Sequence, residues 1–304
     1  YAILGTIKLF NERGNYALNR VYGTAAPNAA IAKVLTKKPL VVSFHYDWQY
    51  QTKTNNGPAV GWLAARVENF SLSRADLVIA LTPALAKKAL VRGAKRVEII
   101  PNYINCSFFK PGVEHAGIIK KHGLEGKKVV LFVGRLHPVK RIDDLLSAFK
   151  IIEDKVEDAV LMICGGGKEE EMLKRLASSL GLKNVRFCGA VDHGKMPQYM
   201  NAAHVLAMQS DVEGQPNTIV EAMACGLPVV GTDVEGIRDT VIDGKTGILV
   251  PSRSPDILAQ KVILLLTNKK IRDKLGKHAR EVALENYEKE KLLRKELSLL
   301  RGLM

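Results

Sequence analysis

The chain runs to 304 residues, 47% hydrophobic and 25% charged, with a formal net charge of +14. That composition excludes a disordered or low-complexity chain and suffices for two globular cores. No apolar run is long enough to span a bilayer and no signal peptide is visible; because the sequence opens at Tyr1 in mid-pattern, a targeting segment in a preceding piece stays open.

In chain order, buried strands are expected at 39–44 and 77–81, a helix at 84–91 and a strand at 97–101. These amount to half of a Rossmann-like domain. Residues 102–112 carry Pro, Asn and Gly without any period and read as an interdomain linker. From Lys127 onward, strand-length apolar runs at 129–134, 159–164, 185–189, 205–208, 228–232 and 247–250 alternate with amphipathic helices at 142–154, 169–180, 196–203 and 218–225. Strands apolar on both faces and separated by helices predict α/β architecture, with a parallel sheet covered on both sides. This half is a complete doubly wound domain. Helices at 257–266, 271–286 and 289–301 close the chain, so the expected domains are 1–111 and 112–288, with 289–304 as a last helix expected to pack back on the first domain.

The charge is uneven: residues 1–111 hold 15 Lys/Arg against 5 Asp/Glu, and the remainder 30 against 26. An excess of this kind favours acidic lipid headgroups, phosphate-bearing acceptors or nucleic acid. With 6% aromatics, no stacking series and no nucleic-acid motif, nucleic acid is not an expected partner. A solvated, solubilising surface and docking on an anionic membrane surface account for the charge equally well. Cys106, Cys164, Cys188 and Cys225 are widely spaced with no C-x-x-C pair. Neither structural disulfides nor a zinc site is expected, which suits a cytoplasmic setting, including the inner face of the membrane.

The segment 213–230 places Glu213 in a Gly/Pro loop and Glu221 eight positions on, just inside a helix that a strand follows. Gly214, Gln215, Pro216 and Asn217, with Thr218 beginning the helix, are suited to expose backbone amides at a helix N-terminus, where phosphate or sugar oxygens are favoured. A carboxylate accepts two hydroxyl hydrogen bonds at once, which fits Glu213 to a sugar and Glu221 to a ribose. A second segment, 133–141, leaves a strand at Gly134 and enters a helix near Ile142, so Arg135 and Lys140 converge at the carboxyl end of that strand. A two-pronged guanidinium with a mobile ammonium suits a diphosphate.

These segments resemble the E-x7-E and G-R-L-x-x-x-K signatures of the family 4 retaining glycosyltransferases. The resemblance implies the GT-B fold, two Rossmann-like domains facing across a cleft, here with the N-terminal one incomplete. It implies catalytic roles for Glu213, Arg135, Lys140 and His45, the last in the strand-end element Ser43 to Trp48 beside the donor sugar. It implies a nucleotide pocket that also uses Gly134, Gly165 in the run Gly165 to Gly167, and the region from Cys188 to Val191. Glycine there is otherwise the default for a tight β-to-α turn.

Asp47 is a weaker site candidate, Asp76 reads as structural, and His137 reads as a loop residue. In 101–105, Tyr103 and Asn105 stand where the family has Gly and Asp, which predicts strain if Tyr103 takes a positive φ. The strand and Gly-rich loop that open the family pattern have no match before Lys33.

The expected activity is retaining, metal-independent transfer from a UDP- or GDP-sugar to a glycan, lipid or other hydroxyl acceptor. The nucleotide-sugar is substrate, no cofactor is implied, and no D-x-D metal motif is present. Two other readings stay open: a GT-B sugar-nucleotide epimerase, which needs further acid/base carboxylates and histidines, and a non-catalytic nucleotide-sugar-binding scaffold.

Overall fold

The computed structural model describes residues 14, 17–23, 27–45, 47 and 57–304. Tyr46 and Trp48 of the His45 element, and most of the stretch before Asn19, lie outside the described residues. The chain divides into two compact units, Tyr1–Asn102 with Glu290–Met304, and Tyr103–Lys289.

In the first unit the described residues form four parallel strands, β1 (Asn19–Tyr22), β2 (Leu40–Phe44), β3 (Leu77–Ala80) and β4 (Val97–Ile99), in that order across the sheet. Helices Pro27–Thr36, Pro58–Arg74 and Pro83–Val91 connect them. The last begins where sequence rules put a start, with Thr82 Oγ1 accepting from Leu85 N at 3.2 Å and Pro83 in the first turn. β1 and the helices at 27–36 and 58–74 are additions to the sequence reading. Asn-Arg-Val-Tyr is short and polar, and the 58–74 helix buries mainly small or polar residues such as Gly61, Ala64 and Ser71, so neither presents an apolar period. A strand therefore does precede Lys33.

Arginines neutralise the buried acids of this unit. Arg92 reaches both oxygens of Asp47 at 2.9 Å and Glu68 at 2.7 Å. The terminal helix Lys289–Arg301 is held by an ion pair from Arg20 on β1 to the buried Glu296, and by Lys295 Nζ donating to Ile99 O at 3.1 Å. Asp76 pairs with Lys33 and accepts from Leu40 N, which fixes the entry to β2.

The second unit has a six-stranded parallel sheet among the described residues: β5 (Lys128–Val133), β6 (Ala159–Cys164), β7 (Val185–Gly189), β8 (Val205–Met208), β9 (Val229–Thr232) and β10 (Gly247–Val250). Their spatial order is β10-β9-β8-β5-β6-β7. Every residue of β6 is buried, as the unalternating apolar run requires, and Phe132, Phe149, Leu145 and Leu146 pack the helix Ile142–Lys155 on the sheet. The chain leaves β5 toward β6 and β7, then returns to the other side of β5 with β8. This reversal opens a crevice at the carboxyl ends of β5 and β8.

The unit boundary lies between Asn102 and Tyr103, earlier than the expected 111. Ile104, Cys106 and Phe109 belong to the core of the second unit, so punctuation that reads as a linker is packed structure. Among the described residues only Lys37, Arg141 and Arg253 have positive φ without being glycine, so Tyr103 carries no such strain. All four cysteines are free, with Cys106, Cys164 and Cys225 buried.

His204 precedes β8; its N–H donates to Val129 O at 2.8 Å and its Nδ1 accepts from Val129 N at 3.1 Å. That second bond requires neutral imidazole. Burial, with Arg272 and Lys128 nearby, holds its pKa below the ordinary 6.5. The unfolded chain therefore takes up the proton first on acidification, and stability fully present above 6.5 is lost as pH falls toward the folded pKa. Between about pH 7.5 and about pH 5.5 the melting temperature should fall more steeply in the wild type than in His204→Gln, whose amide oxygen replaces the acceptor. Equal slopes would contradict this.

Candidate active site

The loop after β5 carries Gly134 and the exposed Arg135, then a 3-10 turn Pro138–Lys140. The loop after β8 carries Glu213 to Pro216 and enters the helix Asn217–Ala224. Lys140 and Glu213, 73 positions apart, form an ion pair with side chains only 17% and 11% exposed. Arg135 makes no ion pair or hydrogen bond among the described residues and stays available.

Backbone bonds fix the two loops to each other. Asp211 N donates to Val139 O at 2.9 Å, and Ser210 Oγ lies 2.9 Å from the same carbonyl. Thr232 at the end of β9 clamps Ser210 from both sides: its hydroxyl accepts from Ser210 N at 3.0 Å and donates to Ser210 O at 2.9 Å. Asp211 in turn pairs with Arg253, which holds its carboxyl below the usual carboxylate range. Position 141 is a feature that sequence reasoning missed. Arg141 sits in the left-handed region at φ 45° and forks onto Asp144 at 3.0 and 2.9 Å, turning the chain from Lys140 into the helix Ile142–Lys155.

The helix Asn217–Ala224 starts after Pro216 with no side-chain cap, which leaves its N-terminal amides for an anionic or hydroxyl ligand. Asn217 is exposed, while Gln215 and Thr218 are half-buried. Glu221 is 8% exposed and accepts from His193 Nε2 at 2.9 Å. His193 lies two residues past Val191 and against the Phe109 ring at 5.3 Å, with its own side chain mostly exposed. Nothing in its local sequence marks it, because its partner is 28 positions away. Gln209, directly after β8, is 3% exposed with neither amide atom paired.

The glycines have a packing reason. Cβ atoms added at Gly165 and Gly167 would lie 1.8 Å from Gly134 O and 2.2 Å from Leu136 O. The close approach at Gly165 is thus to the Arg135 loop. Cys188 is half-buried and its thiol meets that of Cys164, which raises the Cys164 pKa and lowers that of Cys188. Gly236, which the sequence reading passed over, lies beneath the site, since a Cβ there would meet Gly214 O at 2.0 Å and Glu213 O at 2.6 Å.

His45 belongs to the first unit, one residue past β2, with the Tyr22 ring edge-on at 5.6 Å. Burial and then Arg20 lower its pKa, which favours the neutral ring. Asp47 is engaged by Arg92 and Lys88. His137 is an exposed turn residue whose Nδ1 accepts from Val139 N at 3.4 Å.

The family described as Glycosyl transferases group 1 matches residues 116–282, and that described as Glycosyl transferase 4-like domain matches residues 20–103. The chain belongs to the group 1 glycosyltransferases. Among its relatives, the GDP-mannose-dependent alpha-(1-6)-phosphatidylinositol monomannoside mannosyltransferase of Mycolicibacterium smegmatis is 30% identical over 285 residues, covering 88% of this chain and 72% of the relative. The N-acetyl-alpha-D-glucosaminyl L-malate synthase of Bacillus anthracis is 28% identical over 229 residues, covering 74% of this chain and 59% of the relative. A crystal structure of Anabaena Alr3699/HepE with UDP and glucose superposes with a TM-score of 0.84 over 98% of this chain and 81% of that one, at 22% identity. At that identity the likeness establishes the fold, and the two units of this glycosyltransferase are the Rossmann-like domains of a GT-B architecture.

A methyl group at position 236 has no room unless the Glu213–Gly214 backbone moves. Gly236→Ala should cost about 1–3 kcal/mol by denaturant unfolding and weaken nucleotide binding in the same preparation. Wild-type affinity in a destabilised variant would show that the loop position does not matter to the ligand.

Proposed function

We propose that the protein transfers a sugar, with retention and without a metal ion, from a UDP- or GDP-linked donor to a hydroxyl of a glycan or lipid-linked acceptor. The observation that carries this is the Lys140–Glu213 pair at the switch point, with unpaired Arg135 on the same loop. A donor diphosphate offers Lys140 and Arg135 more negative charge than one carboxylate does. Transfer of Lys140 from Glu213 to the diphosphate releases Glu213 to accept from sugar hydroxyls. Arg135, Lys140 and the amides of 214–217 then stabilise the charge that grows as the bond to phosphate breaks.

Glu221, oriented by His193, accepts from the ribose hydroxyls, with Gly134, Cys188 and Val191 in the surrounding wall. For His45, whose pKa is lowered by burial and then Arg20, contact with the donor sugar is what the family resemblance implies. Attack on the same face, with a donor phosphate oxygen taking the acceptor proton, retains configuration and requires no protein base. Two cations on one loop supply the positive charge that a divalent ion supplies elsewhere, which supports the metal-independent reading. The mycobacterial relative is named for GDP-mannose and the Anabaena crystal contains UDP, so both nucleotides belong in the test.

Calorimetry with UDP, GDP and ADP, with and without divalent metal, should show metal-independent binding of one nucleotide that Lys140→Ala abolishes. Lys140→Ala leaves Glu213 facing the phosphates, and transfer should fall about 100-fold or more with the far-UV spectrum unchanged. Glu221→Ala should act chiefly on donor KM, and Glu213→Ala on kcat. An unchanged rate in Lys140→Ala would sink its role, and an altered sugar nucleotide released without acceptor would favour the epimerase reading.

A further inference from the structure

Two helices of the first unit turn large apolar side chains outward and bury mostly small ones. Helix Pro27–Thr36 buries Ala29, Ala30 and Ala32. Its Ile31, Val34 and Leu35 share the opposite side by their spacing and are 42%, 55% and 53% exposed. Helix Pro58–Arg74 packs beside it and does the same, with Gly61 and Ala64 inward and Trp62 and Leu63 60% and 58% exposed. Along this second helix, Trp62, Arg66, Phe70 and Arg74 follow at four-residue intervals. The guanidinium of Arg66 lies 4.3 Å from the Trp62 ring centre and that of Arg74 5.5 Å from Phe70.

Where the two helices end, a hollow of about 550 Å³ is lined by Lys33, Lys37, Arg74 and Lys95, with Val34 and Asp76. Asp76 is already occupied by Lys33 Nζ at 2.7 Å and Leu40 N at 2.8 Å. Lys37 and Lys95 have no carboxylate partner among the described residues. The hollow therefore holds an uncompensated positive charge directly beside exposed aliphatic surface. Outward Trp and Leu are costly in water, and interleaved Arg and Lys are unsuited to a dry protein interface. Both suit a lipid–water boundary, where the apolar side chains enter the acyl region and the cations reach up to phosphate.

We propose that this face docks on an anionic phospholipid surface, with a headgroup phosphate in the Lys37–Arg74–Lys95 hollow and Trp62, Leu63 and Val34 at the acyl boundary. The docking face lies wholly in the first unit and requires nothing of the donor chemistry in the second.

Co-sedimentation of the full chain with vesicles tests it, comparing phosphatidylcholine alone with vesicles containing about one third phosphatidylglycerol. The anionic vesicles should bind at least about tenfold more protein, and the difference should shrink in about 0.5 M salt. Lys37→Glu with Lys95→Glu, and separately Trp62→Ser with Leu63→Ser, should each lower binding about tenfold or more. Thermal unfolding and the far-UV spectrum check that the variants are folded, and nucleotide binding, assigned to the second unit, is read separately, so a failed donor site and a failed docking face give different results.

Equal binding to both vesicle types, or variants that sediment like the wild type, would overturn the proposal. So would inorganic phosphate binding that depends on Lys37 without any vesicle binding, which would mark a site for free phosphate. Dimerisation lost in Trp62→Ser, again without vesicle binding, would mark an interface between copies.

Discussion

The reversal of strand order at β5 is the constraint on which the site depends. A sheet ordered β10-β9-β8-β5-β6-β7 sends the connections from β5 and β8 to opposite faces, so the loops leaving these neighbouring strands diverge at their carboxyl ends. The resulting crevice is bounded by backbone, with Val139 O taking the Asp211 amide and Thr232 fixing Ser210. Lys140 and Glu213 are then held face to face in a place that admits little water. Removing one member of such a partly buried pair leaves an uncompensated charge, whereas substituting one counter-charge for another does not. A diphosphate is a substituting ligand of that kind.

Glycine serves this site through loop-on-loop contact. Gly165 and Gly167 let the turn after β6 lie on the Arg135 loop, and Gly236 lets the turn after β9 lie under Glu213 and Gly214. A missing side chain is demanded equally by a ligand and by a neighbouring backbone, and the residue type alone does not distinguish them. The consequence is a stack of turns in which the Arg135 and Glu213 loops are supported from below. Arg141, in a left-handed conformation that costs it energy, is fixed by its fork onto Asp144 and turns the chain from Lys140 into its helix.

Electrostatics divides the first unit into an inside and an outside. Its deeply placed acids, Asp47, Glu68 and Glu296, are each met by an arginine, so the interior is neutral. The basic excess read from composition is left on the surface, where the 27–36 and 58–74 helices combine it with apolar side chains. The ion pair from Arg20 to Glu296 also fastens the last helix to β1, so a chain segment nearly 280 positions downstream completes this unit.

The sequence by itself determined the architecture of the second unit, because unalternating apolar runs separated by amphipathic helices admit little but a covered parallel sheet. It also singled out Arg135, Lys140, Glu213 and Glu221 as candidates for the chemistry, since each stands in a local pattern with a physical reason for its spacing. It did not yield β1, whose four polar and mixed residues have no period, nor the 58–74 helix, whose buried side is built from small residues. Nor did it reveal that 103–109 belong to the second core, since linker and packed turn share the same Pro, Asn and Gly chemistry. The tertiary structure alone decided that Lys140 meets Glu213, that His193 meets Glu221 and that Gly236 lies under the Glu213–Gly214 backbone. Each of those is a contact between distant positions, and only the folding of the sheet brings such pairs within a few ångströms.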